Sequence, residues 1–246
     1  MAAKVIQQFH GFSGSKIFLM QKHNRLFVRK ISNVQRNFNR LTALSGICPV
    51  PKIFTFGSDT LDMEYIHGLD LRSWLLTNSP KGLIRFLLEQ FSCLNINYTV
   101  KDYSQVYDDF FANYDQKLVP FNINELYQHL PKQLPCSQYI GDLTLENLIA
   151  TDQGFYIIDC QDSVFDSVIF DIAKLRQDLH CRWFLRNNSA MIEHKLNEIE
   201  AQIVSRWPQG GDNYLLILML MRVLKYARPD SKDFNFLQTE IQRLWK

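Results

Sequence analysis

The chain has 246 residues, of which 46% are hydrophobic and 21% charged, with a formal net charge of +2. That length suits one large domain or two tightly joined lobes with a substantial core, and the composition is that of an ordinary soluble globular protein. With so balanced a charge, and basic residues scattered mostly singly, a general nucleic-acid or membrane binder is not expected.

Met1–Phe9 lacks the apolar core of a signal peptide. Val5–Phe9 and Ile17–Met20 read as strands around the turn His10–Ser15, and Leu26–Ile31 reads as a third after the turn Lys22–Asn24. In that third strand Leu26, Val28 and Lys30 share one face by alternation. A lysine on an apolar face needs an anionic partner, because burying it unpaired is expensive. Val34, Phe38, Leu41 and Leu44 then fall on one helical face, stopped by Ser45-Gly46 and Pro49-Val50-Pro51. Lys52–Phe56 and Thr60–Ile66 read as two further strands, and His67-Gly68 as a hinge. The expected division is a small lobe over residues 1–66 and a larger helical lobe over 67–246, within one domain.

From Asp70 on, helical spacing dominates: Leu71–Leu76, a stripe from Leu83 to Leu94, the aromatic stretch Tyr103–Tyr114, and Asn124–Leu130. A small hairpin, Asn147–Ala150 and Phe155–Asp159, interrupts it. Val168–Leu179, Ala190–Trp207, Asn213–Tyr226 and Phe234–Trp245 follow as helices. The most apolar run, Tyr214–Met221, is ended by Arg222 and is shorter than the roughly 20 residues a bilayer requires, so a buried helix is expected. The five cysteines, Cys48, Cys93, Cys136, Cys160 and Cys181, are far apart and show no C-x-x-C spacing. They indicate neither a zinc site nor a disulfide framework, and read as reduced thiols in a cytoplasm.

The residues that carry chemistry lie in the loop 139–150 and just after it. Asp142, Asn147 five positions on, and Asp159 after the hairpin supply a base and two metal-holding oxygens in the order of a kinase-like site. Upstream, Gly11 and Gly14 lie in a turn between strands, and Lys30 stands on the next strand but one. Each signal alone has a plain alternative: a simple turn, a snorkelling lysine, a turn-capping aspartate. Their order is what speaks for the site.

In these residues the chain resembles the aminoglycoside phosphotransferase/choline kinase branch of the protein-kinase-like superfamily, and is most similar to small phosphotransferases of bacterial surface-polysaccharide pathways. Gly141–Asn147 matches the branch's H-G-D-x-x-x-x-N, Ile157-Ile158-Asp159 its I-D-[FW], and Phe170–Leu179 its D-[LI]-A-K-L-x-Q. Pro49-Val50-Pro51 and Met63–Gly68 are looser matches. The resemblance implies an α+β, two-lobed kinase-like fold, with an antiparallel sheet and one helix in the small lobe and a mainly helical large lobe. It implies an ATP- and Mg²⁺-dependent transfer of the γ-phosphate to a hydroxyl of a small polar metabolite, a sugar or polysaccharide precursor. The other reading is a nucleotide-binding scaffold with little or no catalysis.

The roles so implied place Asp142 as the group that orients the acceptor hydroxyl and takes its proton. Asn147 and Asp159 would offer hard oxygen ligands to Mg²⁺. Lys30 would bind the α and β phosphates, and the amides of 12–15 with the hydroxyls of Ser13 and Ser15 would cover them. Backbone groups of Glu64 and Ile66 would hold adenine between apolar walls that include Ile149 and Ile158. Asp171 would support the catalytic loop. Asp178, Arg182, Trp183 and Arg186 could face a sugar acceptor, or could form an ordinary helix end with a half-buried tryptophan. Tyr103, Tyr107, Phe110, Phe111 and Tyr114 could cage a choline-type acceptor, or pack a core.

Two positions depart from the pattern. Ile140 stands where a histidine normally supports the loop. Asn37 stands where a helix glutamate normally pairs with the lysine, and an amide can hydrogen-bond an ammonium without neutralising it. Thr144, in place of a lysine, and the lack of an A-P-E-like stretch favour a small-molecule acceptor over a protein.

Overall fold

The computed structural model of the chain describes residues 3–9, 15–94, 99–186 and 190–246. In chain order come β1 (Lys4–Phe9), β2 (Lys16–Lys22), β3 (Arg25–Ile31), α1 (Gln35–Leu44), β4 (Ile53–Phe56), β5 (Thr60–Glu64) and β6 (Leu69–Asp70). After them lie α2 (Leu71–Thr77), α3 (Lys81–Leu94), β7 (Val100–Asp102), α4 (Ser104–Ala112), α5 (Ile123–His129) and β8 (Gln133–Pro135). The hairpin strands β9 (Leu148–Thr151) and β10 (Gly154–Ile157) precede α6 (Val168–Leu179), α7 (Glu193–Arg206), α8 (Asn213–Leu224) and α9 (Lys232–Trp245).

One compact unit comprises Met1–Trp74, Ile140–Asp142 and Glu146–Ser163. Its main sheet is antiparallel, in the order β1-β2-β3-β5-β4. Within β3, Arg29 lies opposite Asp62 of β5 and grips it with two hydrogen bonds of 2.6 Å, while Lys30 lies opposite Leu61. Neighbouring residues of a strand point to opposite faces, so the sheet keeps one cation for structure and the next for the other side. The fork-to-carboxylate geometry with Asp62 holds the Arg29 guanidinium's pKa above its ordinary value.

Helix α1 turns Asn37, Leu41 and Leu44 inward, and its Phe38 stacks on Phe56 of β4 with ring centroids 3.9 Å apart. The hairpin of β9 and β10 gains a third strand, β6, with Leu69 opposite Ala150 and Asp70 opposite Ile149. Two residues are too short for an alternation signal, so β6 is not visible in the sequence. Gly68, read as a hinge, is needed for a steric reason. A Cβ there would lie 2.3 Å from the carbonyl oxygen of Ala150 and 2.6 Å from Ile149 Cγ2. The expected boundary left residues 139–150 in the larger lobe; in the fold, 140–142 and the segment 146–163 group with the N-terminal strands instead. Backbone bonds from Ile157 N to Pro49 O (2.9 Å) and from Asp162 N to Arg36 O (3.1 Å) account for this.

A second unit comprises Leu75–Tyr139, Leu143–Leu145 and Val164–Lys246. Its centre is α6, all twelve residues of which are buried, packed by α7 and α8. Ser167 caps α6 by accepting the Ile169 N–H at 3.3 Å, and Asp212 caps α8 by accepting those of Tyr214 and Leu215. Leu215–Met221 is entirely buried in α8, as its composition requires. No helix among the described residues is long and apolar enough to cross a membrane. The aromatic stretch packs a core: Tyr103 and Tyr107 are fully buried against Phe170, and their hydroxyls donate to Asp166 and to the carbonyl of Pro131. Strands β7 and β8, paired from Val100 opposite Pro135 to Asp102 opposite Gln133, also escape the sequence reading, because three polar-rich residues carry no strand pattern.

Candidate functional site

Lys30 is buried, its side chain 2% exposed, and its Nζ donates to Asp159 Oδ1 at 2.6 Å. The anion that a buried strand lysine demands is thus supplied by the chain itself. Strand β10 ends at Ile157, and Asp159 turns away from it with φ of 57°, a left-handed conformation that aspartate tolerates better than most residues. The same Oδ1 accepts Asn37 Nδ2 at 2.9 Å. Oδ2 accepts no hydrogen bond from the described residues, and the side chain is 35% exposed.

The loop bearing Asp142 is tied to this segment at both ends. Gln161 N donates to Ile140 O at 3.1 Å, and Ile158 N to Asn147 O at 2.8 Å. Within the loop, Asn147 Nδ2 donates to the carbonyl of Asp142 at 2.9 Å. Gly141, at φ of 95°, makes the turn into Asp142 in a conformation suited to glycine. Ile140 is buried, so the position expected to lose a histidine hydrogen bond instead contributes apolar packing and a backbone acceptor.

Further support comes from within the second unit. Asp178 is fully buried, and its Oδ2 accepts the N–H of Leu145 at 2.7 Å. Of the two readings left open for Asp178, this contact speaks against the acceptor-facing one, since a carboxylate sealed from solvent and bonded to the loop backbone acts on the loop. Asp171, expected to support the loop, is buried on the same helix.

The other expected acceptor residues are also engaged in packing. Trp183 is buried, with Arg186 over its ring at 4.2 Å and Phe236 at its edge at 5.5 Å. It therefore offers no open face for a sugar. Arg182 bonds Asn197 Oδ1 and faces Glu193 at 3.7 Å, and Arg186 faces Asp233 at 3.6 Å.

Of the residues expected to line a nucleotide site, Gly11, Ser13 and Gly14 lie outside the described residues. Ser15 is buried and its hydroxyl donates to Ser32 O at 3.1 Å, fixing the start of β2 to the end of β3. The N–H of Glu64 donates to Lys52 O at 2.8 Å, and Ile66 lies in the half-buried segment just beyond β5. Ile149 on β9 and Ile158 beyond β10 are half-buried. Asn37, which stands where a lysine-pairing glutamate is normally found, bonds Asp159 and, at 2.7 Å, the carbonyl of Cys160 through its amide.

Two residues were not singled out from the sequence. Arg36 Nε donates to Asp162 O at 2.8 Å while the Arg36 carbonyl accepts Asp162 N. These bonds latch α1 to the segment after Asp159. Three of the four groups are backbone atoms, which leave no trace in residue identity.

Among the described residues no group of three or more His, Cys, Asp or Glu side chains could hold a metal alone. The donor set nevertheless fits a hard divalent cation that keeps waters and shares phosphate oxygens. With Nδ2 of Asn147 committed to Asp142 O, its Oδ1 is the atom left to coordinate, and Asp159 Oδ2 is the second such oxygen.

No protein-family model and no curated protein matches the chain. Solved structures do. Aminoglycoside phosphotransferase APH(4)-Ia is 11% identical, with a TM-score of 0.72 over 99% of this chain and 93% of that one. A thermostable mutant of it in ternary complex with AMP-PNP and hygromycin B is 12% identical, with a TM-score of 0.69 over 99% and 94%. An ethanolamine kinase of Plasmodium vivax is 14% identical, with a TM-score of 0.58 over 99% and 82%. At such identities the likeness establishes the fold, that of the kinase-like phosphotransferases.

Proposed function

We propose that the protein is an ATP-dependent phosphotransferase that moves the γ-phosphate to a hydroxyl of a small polar metabolite. The observation that carries this reading is the cluster of Lys30, Asp159, Asn147 and Asp142 within one compact unit. It holds a buried cation for phosphate, two oxygens that accept no hydrogen bond from the described residues, and a carboxylate for a proton. Structural likeness to an enzyme complexed with AMP-PNP supports it from the side of the fold.

In this reading Lys30 exchanges Asp159 for phosphate oxygens when nucleotide enters. Asn147 Oδ1 and Asp159 Oδ2 would hold Mg²⁺, which when bound neutralises charge between the phosphates. Asp142 orients the acceptor hydroxyl and takes its proton as the oxygen bonds to the γ-phosphorus and the bond to ADP breaks. The acceptor class, a sugar or polysaccharide precursor, rests on the sequence resemblance of residues 139–179. The five free thiols accord with a cytoplasmic setting.

Labelled ATP incubated with a metabolite pool tests this reading. A labelled product is expected from the wild type and not from Asp142→Asn, with AMP-PNP binding retained in the variant. Nucleotide binding without any labelled product would favour the scaffold reading.

A further inference from the structure

We propose that Asn37 is a positioning residue for the cation-binding carboxylate: it holds Asp159 Oδ1 so that Oδ2 is presented to the cation that accompanies nucleotide. This rests on the nucleotide-binding reading above. Asn37 is 1% exposed, and both hydrogens of its amide are spent on one short segment, on Asp159 Oδ1 at 2.9 Å and on Cys160 O at 2.7 Å. Its own Oδ1 is buried and accepts no hydrogen bond from the described residues, so the side chain gives nothing to Lys30. The latch between Arg36 and Asp162 brings the same turn of α1 to the same segment. Residues 36 and 37 thus hold 159, 160 and 162 by side chain and backbone together.

The neutrality of Asn37 is what permits this contact. A carboxylate at the place of its Nδ2 would stand against Asp159 Oδ1, like charge against like. With an amide there, position 37 adds no charge of its own to the Lys30–Asp159 pair of one buried cation and one half-buried anion. Phosphates arriving alone would draw Lys30 away and leave Asp159 facing added negative charge. A cation arriving alone would engage Asp159 and leave Lys30 buried without a counter-charge. Arriving together, each ligand supplies the charge that the other displaces, and by linkage each strengthens the other equally. Throughout the exchange the Asn37 bond to Oδ1 persists, so Asp159 keeps its orientation and presents Oδ2.

The test is calorimetric titration of AMP-PNP into the wild type and Asn37→Ala, with and without Mg²⁺, with ligand-free melting to establish folding. Asn37→Gln, which keeps the amide but displaces it by one methylene, is the variant to read if Asn37→Ala does not fold. For the wild type, Mg²⁺ is expected to tighten AMP-PNP binding about 100-fold. In the variant that enhancement should fall about 10-fold, as on loss of a residue that orients a metal ligand, with metal-free affinity changed by about two-fold or less. An unchanged enhancement, or equal weakening with and without Mg²⁺, overturns the proposal and leaves the nucleotide reading intact. If the wild type binds no AMP-PNP under either condition, the nucleotide reading itself falls, and this proposal with it.

Discussion

The carboxylate of Asp178 accepts the backbone N–H of Leu145 at 2.7 Å, three residues beyond Asp142 and two before Asn147. Asp178 is fully buried, as are Leu143 and Leu145 on the loop. An N–H stripped of water and then of its acceptor costs about 1–3 kcal/mol. Asp178→Ala should therefore lower stability by about that amount in urea unfolding. It should also reduce kcat by about 100-fold, the scale expected when reacting groups drift by an ångström. KM for ATP should change far less. Asp178→Asn, which retains an acceptor oxygen, should recover much of the rate. A substrate-binding role would instead raise KM for the acceptor and leave stability unchanged.

The Lys30–Asp159 pair is asymmetric in burial, and its two single variants should differ accordingly. Lys30 is 2% exposed and Asp159 35%. Asp159→Ala leaves a sealed ammonium without its counter-charge, a loss of about 3 kcal/mol. Lys30→Met leaves a carboxylate that water can reach, and replaces the ammonium with an apolar chain of similar length, so it should cost less than about 1 kcal/mol. Urea unfolding of the two variants and of the double variant checks this. Equal costs for the two single variants would mean that Lys30 is hydrated when unpaired.

Much of this was legible in the sequence, for reasons that differ by element. The helices α3, α6, α8 and α9 announce themselves because a face or a whole turn of apolar residues cannot be placed otherwise, and Lys30 stands out because a lysine on an apolar strand face needs an anion. That the anion is Asp159, 129 residues away, is a long-range fact that no local pattern encodes. Asn37 was legible as a departure from the expected glutamate, but the choice between bonding Lys30 and bonding Asp159 depends on where α1 docks, which the latch by Arg36 and Asp162 sets through backbone atoms. For Trp183 and Asp178 the sequence left an acceptor-facing and a packing role open, for the converse reason. A stacking ring and a free carboxylate look alike in sequence whether a ligand or the protein's own Arg186 and Leu145 cover them.

Gly68 separates the main sheet from β6, and its substitution should be costly in a way Gly57 is not. A methyl at Gly68 meets a backbone oxygen at 2.3 Å, that of Ala150 in the β6–β9 pairing, and a backbone atom cannot rotate aside. At Gly57 the nearest atom is the rotatable hydroxyl of Thr60, at 3.1 Å. Gly68→Ala should cost about 2 kcal/mol as overpacking does, lowering Tm by about 4–8 °C in a chain of this size. Gly57→Ala should lower it by no more than about 2 °C. Calorimetric melting of the two variants side by side distinguishes a required close approach from a merely convenient turn.

The last prediction concerns acid stability of the second unit. Glu200 accepts Arg176 Nε and pairs with His180 Nδ1, both at 2.9 Å. Burial by itself works to raise the pKa of this carboxyl, but the hydrogen bonds from His180 and Arg176 and their charges outweigh it, and the net shift is downward. A carboxylate whose folded pKa lies below its unfolded value contributes stability above the unfolded value, near pH 4.5. That contribution is lost as pH falls through the lower, folded one. Tm of the wild type should therefore decline below about pH 4.5 more steeply than that of Glu200→Gln, so that the gap between them, widest near neutrality, narrows in acid. Arg176 holds the carbonyls of Gly211 and Asp212 and the side chain of Asn213 as well, so the variant should still fold. A gap that stays constant from pH 7 to about pH 3 would show that Glu200 stabilises the unit by packing and not by its charge.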